Sequence, residues 1–277
     1  MTIEEAIKFV KEEYPFPEIY STARYTNIVT HAAKALSPGD KILDLGAGPC
    51  EIPSILSMLG YRCTAYDDFQ DEWLTRNDGQ KKVFDFAKKM NVEVVVAETK
   101  KMPFAKESFD MFMMHDVLEH LHDSPRDLLN DALESVKPEG FFYITVPSLV
   151  NIRKRLSVLL GSTNLPDYQT YYWYPGSWRG PVREYTRGDL ERMCDYLNLN
   201  IIELNGCHHM LERVPNSILP LYKLFTQFFP DLRDSWLLLA QKPKGWQPKR
   251  SISEKEFANI MKNTQKQHRK KGNIISH

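Results

Sequence analysis

The run Lys41-Ile42-Leu43-Asp44-Leu45-Gly46-Ala47-Gly48-Pro49-Cys50 has the residue types and spacing of a ligand-binding turn. An apolar strand ends in an acid. A turn with two glycines then leads at once into a helix-like segment, Glu51 to Leu59. Glycine permits backbone angles that other residues avoid, and it lets a ligand approach the main chain. The next strand, Arg62 to Tyr66, ends at Asp67. That acid follows Gly46 by about 20 residues, the spacing at which a carboxylate reaches a ribose in nucleotide-binding α/β folds. Strand, glycine turn, helix, strand and acid together read as a nucleoside site.

Which nucleoside is decided by what is missing. A dinucleotide fingerprint has a third glycine beside the pyrophosphate, and that position here is Glu51. A carboxylate at the start of a helix would face a pyrophosphate and repel it. S-adenosylmethionine (SAM) has a ribose, an adenine and an amino-acid end but no phosphate, and it fits better.

Four segments extend the pattern: Leu43 to Gly48, the strand-end Asp67, Met102 to Phe112, and Asp116 to Asp123. In these the chain resembles the class I SAM-dependent methyltransferases, in particular the group that includes the ubiquinone-biosynthesis methyltransferases. The resemblance covers Lys41 to Pro147 and returns weakly in Arg183 to Leu204 and Ser235 to Pro243. The family usually has a third glycine where this chain has Cys50, and an Asp where it has Glu98. The resemblance implies that Asp44, Gly46, Ala47 and Gly48 hold the amino-acid end of SAM and that Asp67 accepts from the ribose hydroxyls. Asp68 competes for that role, and the alternation of the strand favours Asp67. Glu98, with the Thr99 backbone beside it, is placed to accept from the adenine amine.

The run His115-Asp116-Val117-Leu118-Glu119-His120-Leu121-His122 holds three histidines and two acids. On a helix His115 and Glu119 would share a face, but this spacing does not imply the geometry a metal needs, and no metal is expected. The resemblance places the run along the edge of the SAM pocket, where His115 or Glu119 faces the transferred methyl and His120 is a hydrogen-bonded packing residue. Methyl transfer depends mainly on holding the nucleophile in line. A base helps when the nucleophile is a hydroxyl. The candidates are His115, Glu119 and His122, with His208 and His209 from a later segment.

These residues need elements to position them. Thr2 to Leu36 reads as helical, broken at Tyr14-Pro15-Phe16-Pro17. A charged helix covers Lys81 to Met90, and strands follow at Val92 to Ala97 and Phe109 to His115. Pro125 suits the first turn of a helix that runs to near Gly140, and Phe141 to Val146 is a fifth strand. After an aromatic stretch come a helix at Thr186 to Leu197, a strand at Asn200 to Leu204, a helix at Ile218 to Phe229 and a strand at Ser235 to Gln241. Seven strands alternating with helices predict a doubly wound, mostly parallel α/β sheet of the Rossmann-like methyltransferase kind. Residues 1–36 would cover the cofactor site, 37–245 form the SAM-binding domain, 148–184 are an insertion after the fifth strand, and 246–277 are a basic tail.

The insertion is rich in aromatics, which argues against disorder. It is expected to form a substrate wall through Tyr172, Trp178, Arg179, Arg183 and Tyr185, with the arginines gripping a phosphate or carboxylate. In the tail, Ser253 and Glu256 have capping-box spacing, and its basic amphipathic helix could touch an anionic membrane surface weakly. The 277 residues carry 36 basic and 36 acidic side chains, so no global field favours nucleic acid. Four dispersed cysteines, a charged N-terminus and no run of membrane-spanning length point to the cytoplasm. The expected function is methyl transfer from SAM to a small-molecule or glycan-type acceptor, most readily at oxygen. The alternatives are an NAD-dependent oxidoreductase and a non-catalytic SAM-binding module.

Overall fold

The computed structural model describes residues 1–99, 101–162, 165–211 and 214–272. Two helices open the chain, α1 (Ile3–Glu13) and α2 (Thr22–Ala35). A reciprocal cap between Thr2 and Glu5 starts α1, and its stripe Ala6, Ile7 and Val10 is buried. α2 buries Tyr25, Ile28, Val29 and Ala32. The alternating part follows as β1 (Lys41–Leu45), α3 (Glu51–Met58), β2 (Arg62–Asp67), α4 (Glu72–Thr75), α5 (Gly79–Lys89), β3 (Glu93–Val96), β4 (Phe109–His115), α6 (Arg126–Ser135) and β5 (Val136–Pro147). The insertion contributes α7 (Ile152–Leu159) and α8 (Tyr168–Tyr172). The remainder is α9 (Arg187–Leu197), β6 (Asn200–Cys207), α10 (Leu219–Phe228), β7 (Ser235–Gln241) and α11 (Glu254–Gly272).

The seven strands form one mostly parallel sheet, as the alternation predicts, in the order β3-β2-β1-β4-β5-β7-β6. Only β7 runs antiparallel, and it pairs with β5 and β6. Helices cover both faces. One core lies under α1, α2, α3 and α5, the other under α6 and α9. The chain reverses its direction of travel across the sheet between β1 and β4, the place where α/β sheets bind ligands.

Two expectations change in detail. The helix expected to reach Gly140 stops at Ser135, and β5 begins at Val136. Val136 pairs with Phe109, but Phe141 pairs with Met111, so residues 137–140 bulge out of register. Glu139 takes a positive φ of 64° there, and Pro138 could not have continued a helix interior. In the tail, Ser253 and Glu256 do form the expected reciprocal cap at the start of α11.

Glu51, the first residue of α3, is also placed differently from expectation. Its carboxylate turns toward the N-terminal helices rather than into the strand crevice. It accepts from the Tyr25 hydroxyl at 2.9 Å and from the Tyr14 hydroxyl at 3.4 Å. Burial raises the pKa of this group, against the opposing pull of Arg24 and the two hydroxyls. Tyr25→Phe should leave a buried carboxyl short of a partner and lower stability by about 1–3 kcal/mol in urea denaturation. Unchanged stability would show that the contact does not help to hold α2 on the sheet.

Candidate active site

The turn after β1 is built for close approach. Gly46 has a φ of +71° and donates its N–H to the Tyr66 carbonyl at 2.8 Å. A Cβ on Gly46 would lie 2.2 Å from a Val117 methyl, so the turn after β4 presses directly on this glycine. Gly48, with a φ of +50°, has open space where its Cβ would be, which is room for a ligand against the main chain. Asp67 organises the same turn. Its carboxylate accepts from the Gly48 N–H at 2.8 Å and from the Phe69 N–H at 2.7 Å. Each oxygen keeps further acceptor capacity, so the pair of hydroxyls on a ribose fits this carboxylate.

Negative charge accumulates here. Burial, then Glu51 and Asp67, push the Asp44 carboxyl well above its ordinary range, with Arg24 opposing. Burial also raises Asp67, and the Asp68 and Asp71 charges add to that rise while the two backbone N–H groups oppose it. A crevice of this kind favours a cation and disfavours a phosphate. Of the other expected cofactor residues, Ala47 is buried in the turn, where its carbonyl accepts from the Cys50 N–H. Glu98 and Thr99 are exposed just past β3, and the Thr99 hydroxyl donates to the Lys101 carbonyl.

A second group gathers past the end of β4. His115 is buried, with Nδ1 at 3.1 Å from the Thr145 hydroxyl and its ring edge-on to Tyr143. Burial, then Arg24 and His209, holds its pKa well below the usual histidine value, so it is neutral near pH 7. Asp116 pairs with Arg24 of α2 at 2.9 Å. Burial, then the Asp116 charge, pushes Glu119 up to about 8. His209 is buried and held at about 4 by desolvation. Its Nε2 lies 3.2 Å from the Asn27 amide nitrogen, and Asp234 receives its backbone N–H at 2.7 Å.

Five atoms in this group are buried without a hydrogen-bond partner: Arg24 Nε, His115 Nε2, Asp116 Oδ1, Glu119 Oε2 and His209 Nδ1. Orphaned polar atoms are costly when buried, and five in mutual electrostatic reach mark a place for a polar ligand. Beside them a cavity of about 840 Å³ is lined by Asp116, Glu119, Asn151, Arg153, Trp178 and Arg183, among others. Another cavity, of about 570 Å³, opens at the amino ends of β1 and β2 near Lys41 and Arg62 and is remote from this chemistry.

Several expected residues are placed elsewhere. His122 is exposed and outside the group. Arg179 does not face the cavity as a free cation. It is held by Asp68 at 3.0 Å and Asp71 at 3.1 Å, which ties the insertion to the loop after β2. Tyr185 is core, its hydroxyl turned to the Leu118 carbonyl and its own carbonyl receiving the Trp236 indole N–H. Tyr172 is exposed and packs on Trp173. Trp178 and Arg183 do line the cavity, Arg183 being exposed and 3.6 Å from Asp189. His120 donates its Nδ1–H to the Arg179 carbonyl at 2.7 Å. Arg24 and Asn27 escaped the sequence reading. Their one signal is polarity on a helix whose buried stripe is otherwise Tyr25, Ile28, Val29 and Ala32.

Residues 43–144 match the family model described as a methyltransferase domain. These residues thus carry a methyltransferase domain. The match supports SAM as the cofactor. Solved structures with the same fold include a SAM-dependent methyltransferase from Methanosarcina mazei, 16% identical with a TM-score of 0.54, covering 78% of this chain and 97% of that one. Another, from Archaeoglobus fulgidus, is 14% identical with a TM-score of 0.52 and covers 85% and 99%. A Haloferax volcanii protein in complex with the Trm112 methyltransferase activator is 12% identical with a TM-score of 0.56, covering 89% and 100%. No curated protein sequence matches the chain. Among the described residues no cluster of metal-ligating side chains forms, and no helix is long and apolar enough to cross a membrane.

Asp67→Asn keeps the shape but removes the charge, and it should weaken SAM binding by about 1.5–3 kcal/mol in calorimetry. Because Asp44 and Asp67 both titrate above the usual carboxylate range, the charged forms that favour a sulfonium are lost as pH falls through those raised values. SAM affinity should begin to decline at a pH above that range. Affinity that stays flat on acidification would remove both acids from the binding site.

Proposed function

We propose that this methyltransferase moves a methyl group from SAM to an oxygen of a small-molecule or glycan-type acceptor seated beside His115. The observation that carries the reading is the set of unpartnered buried atoms on Arg24, His115, Asp116, Glu119 and His209. A hydroxyl-bearing acceptor is both donor and acceptor, and it satisfies atoms of both kinds.

In this reading the Asp44 and Gly46–Gly48 side of the turn holds the amino-acid end of SAM, and Asp67 holds the ribose. Glu98 and Thr99 border the adenine, and residues 1–36 close the crevice through Arg24. Bound SAM supplies a methyl group on a sulfonium, which is already a good leaving group. The chain's own work is to orient the acceptor and to take its proton. His115 is neutral and buried. With its Nδ1–H donated to Thr145, it presents an Nε2 lone pair to the acceptor hydroxyl. Glu119, protonated below about 8, donates to a second acceptor oxygen. The Arg24–Asp116 pair fixes the far side, and Trp178 forms the outer wall of the cavity.

His115→Gln should lower kcat by about 10²–10⁴, the usual range for a general base, with SAM affinity nearly unchanged. An unaltered kcat on the true acceptor would sink the assignment. The sign of the pH dependence follows from Glu119. Its donating form is present below about 8 and lost as pH rises through that value. Activity should therefore fall on the alkaline side, and Glu119→Gln, which stays neutral, should flatten that limb of the kcat/KM profile. A limb that survives the substitution would belong to another group.

A further inference from the structure

Three elements beyond β5 and β6 turn apolar side chains to solvent. α10 is inverted. Its buried residues are Tyr222 and Thr226, while Leu221, Leu224, Phe225 and Phe228 are exposed, Phe228 by 72%. A surface helix ordinarily buries its apolar stripe. α7 buries no residue and runs into Leu159 and Leu160, which are 81% and 85% exposed. α8 buries none either, and Trp173 after it is 78% exposed. The three elements adjoin one another. Arg153 of α7 acts electrostatically on Tyr222 of α10, and it lines the same cavity as Pro166 and Trp178 on either side of α8. Apolar surface exposed on adjoining elements at this scale marks an interaction site.

Charge narrows the partner. α7 carries Arg153, Lys154 and Arg155, α10 carries Lys223, and neither helix has an acid. Between residues 165 and 178 the one charged residue is Asp167. Lys154 is ion-paired with Glu184, which leaves Arg153, Arg155 and Lys223 against Asp167, a basic excess on this face. Tyrosine and tryptophan crowd the same stretch, with Tyr168, Tyr171, Tyr172, Trp173, Tyr174 and Trp178. Amphipathic rings of this kind settle at the level of lipid headgroups. Apolar and aromatic side chains accompanied by a basic excess bind an anionic bilayer surface. A second copy of the chain would set one basic face against another, and like charges across an interface oppose association. We propose that the face formed by α7, α8 and α10 docks on an anionic lipid bilayer surface.

Vesicle flotation of the full chain tests the proposal. The probes are vesicles of phosphatidylcholine containing phosphatidylglycerol and vesicles of phosphatidylcholine alone. The wild type should float with the first far more than with the second, and added salt should weaken the difference. Leu159→Asp/Leu160→Asp should reduce partitioning about tenfold or more, while Phe257→Asp/Met261→Asp on α11 should leave it unchanged. Both pairs are exposed, and a SAM titration of each variant checks that the domain remains folded. No flotation of the wild type would overturn the proposal. So would loss of binding in the α11 variant with retention in the α7 variant, because the tail would then be the contact. A wild-type dimer that the α7 variant converts to monomer, without lipid binding, would make this face a self-interface and equally end the idea. The outcome is independent of which acceptor is methylated.

Discussion

Asp44, Glu51, Asp67, Asp116 and Glu119 bring five carboxyl groups to the carboxyl ends of the parallel strands, and much of the surrounding structure answers the cost of burying them. Arg24 lies among them. It pairs with Asp116 and is felt by Asp44, Glu51 and Glu119. Two tyrosine hydroxyls take up Glu51, and two backbone N–H groups take up Asp67. Farther out, Arg179 neutralises Asp68 and Asp71. Burial of carboxylates is expensive unless such partners are present. The N-terminal helices therefore do more than cover a sheet face, because their polar side chains complete the electrostatics of the strand ends. In the proposed reading a cationic cofactor continues the same compensation.

The reversed strand β7 has a consequence for the acceptor side. Because β7 is antiparallel to both β5 and β6, β6 runs parallel to β5 and ends on the same edge as β4. The residues after β6 then return to the crevice, and this brings His209 against Asn27 of α2 and within the field of Asp116. Asp234, just before β7, anchors that return. It stays below the usual carboxylate range despite burial, because His208 and the His209 N–H donate to it. Four distant stretches of chain thus meet at one polar cluster.

The local parts of this arrangement were legible in the sequence. The glycine turn, the acid after β2 and the order of strands rest on short-range rules of backbone freedom and periodicity. So does the cap at Ser253. Arg24 and Asn27 were not legible, since nothing within α2 announces which carboxylate or imidazole will lie opposite. Arg179 was read as a free cation because its partners, Asp68 and Asp71, are more than a hundred residues away. Tyr185 was read as wall when its position below the insertion makes it core. Glu51 was not legible as a partner of α1 and α2, because its rotamer is set by Tyr14 and Tyr25. In each case the deciding interaction is tertiary.

Cys50 stands where related domains usually have glycine, and it takes glycine's conformation, with a φ of 66°. A side chain held there costs about 1–2 kcal/mol in strain. The side chain is wholly buried in the core under α1 and α2, and its apolar contacts offset part of that strain. A residue with a Cβ also has fewer alternatives than glycine in the unfolded chain, so ordering the turn costs less entropy. The glycine turn is thereby stiffened by its own packing. Its thiol, pushed well above the ordinary cysteine range by burial and by Glu51, stays a protonated, unreactive filler in the core behind the glycine turn.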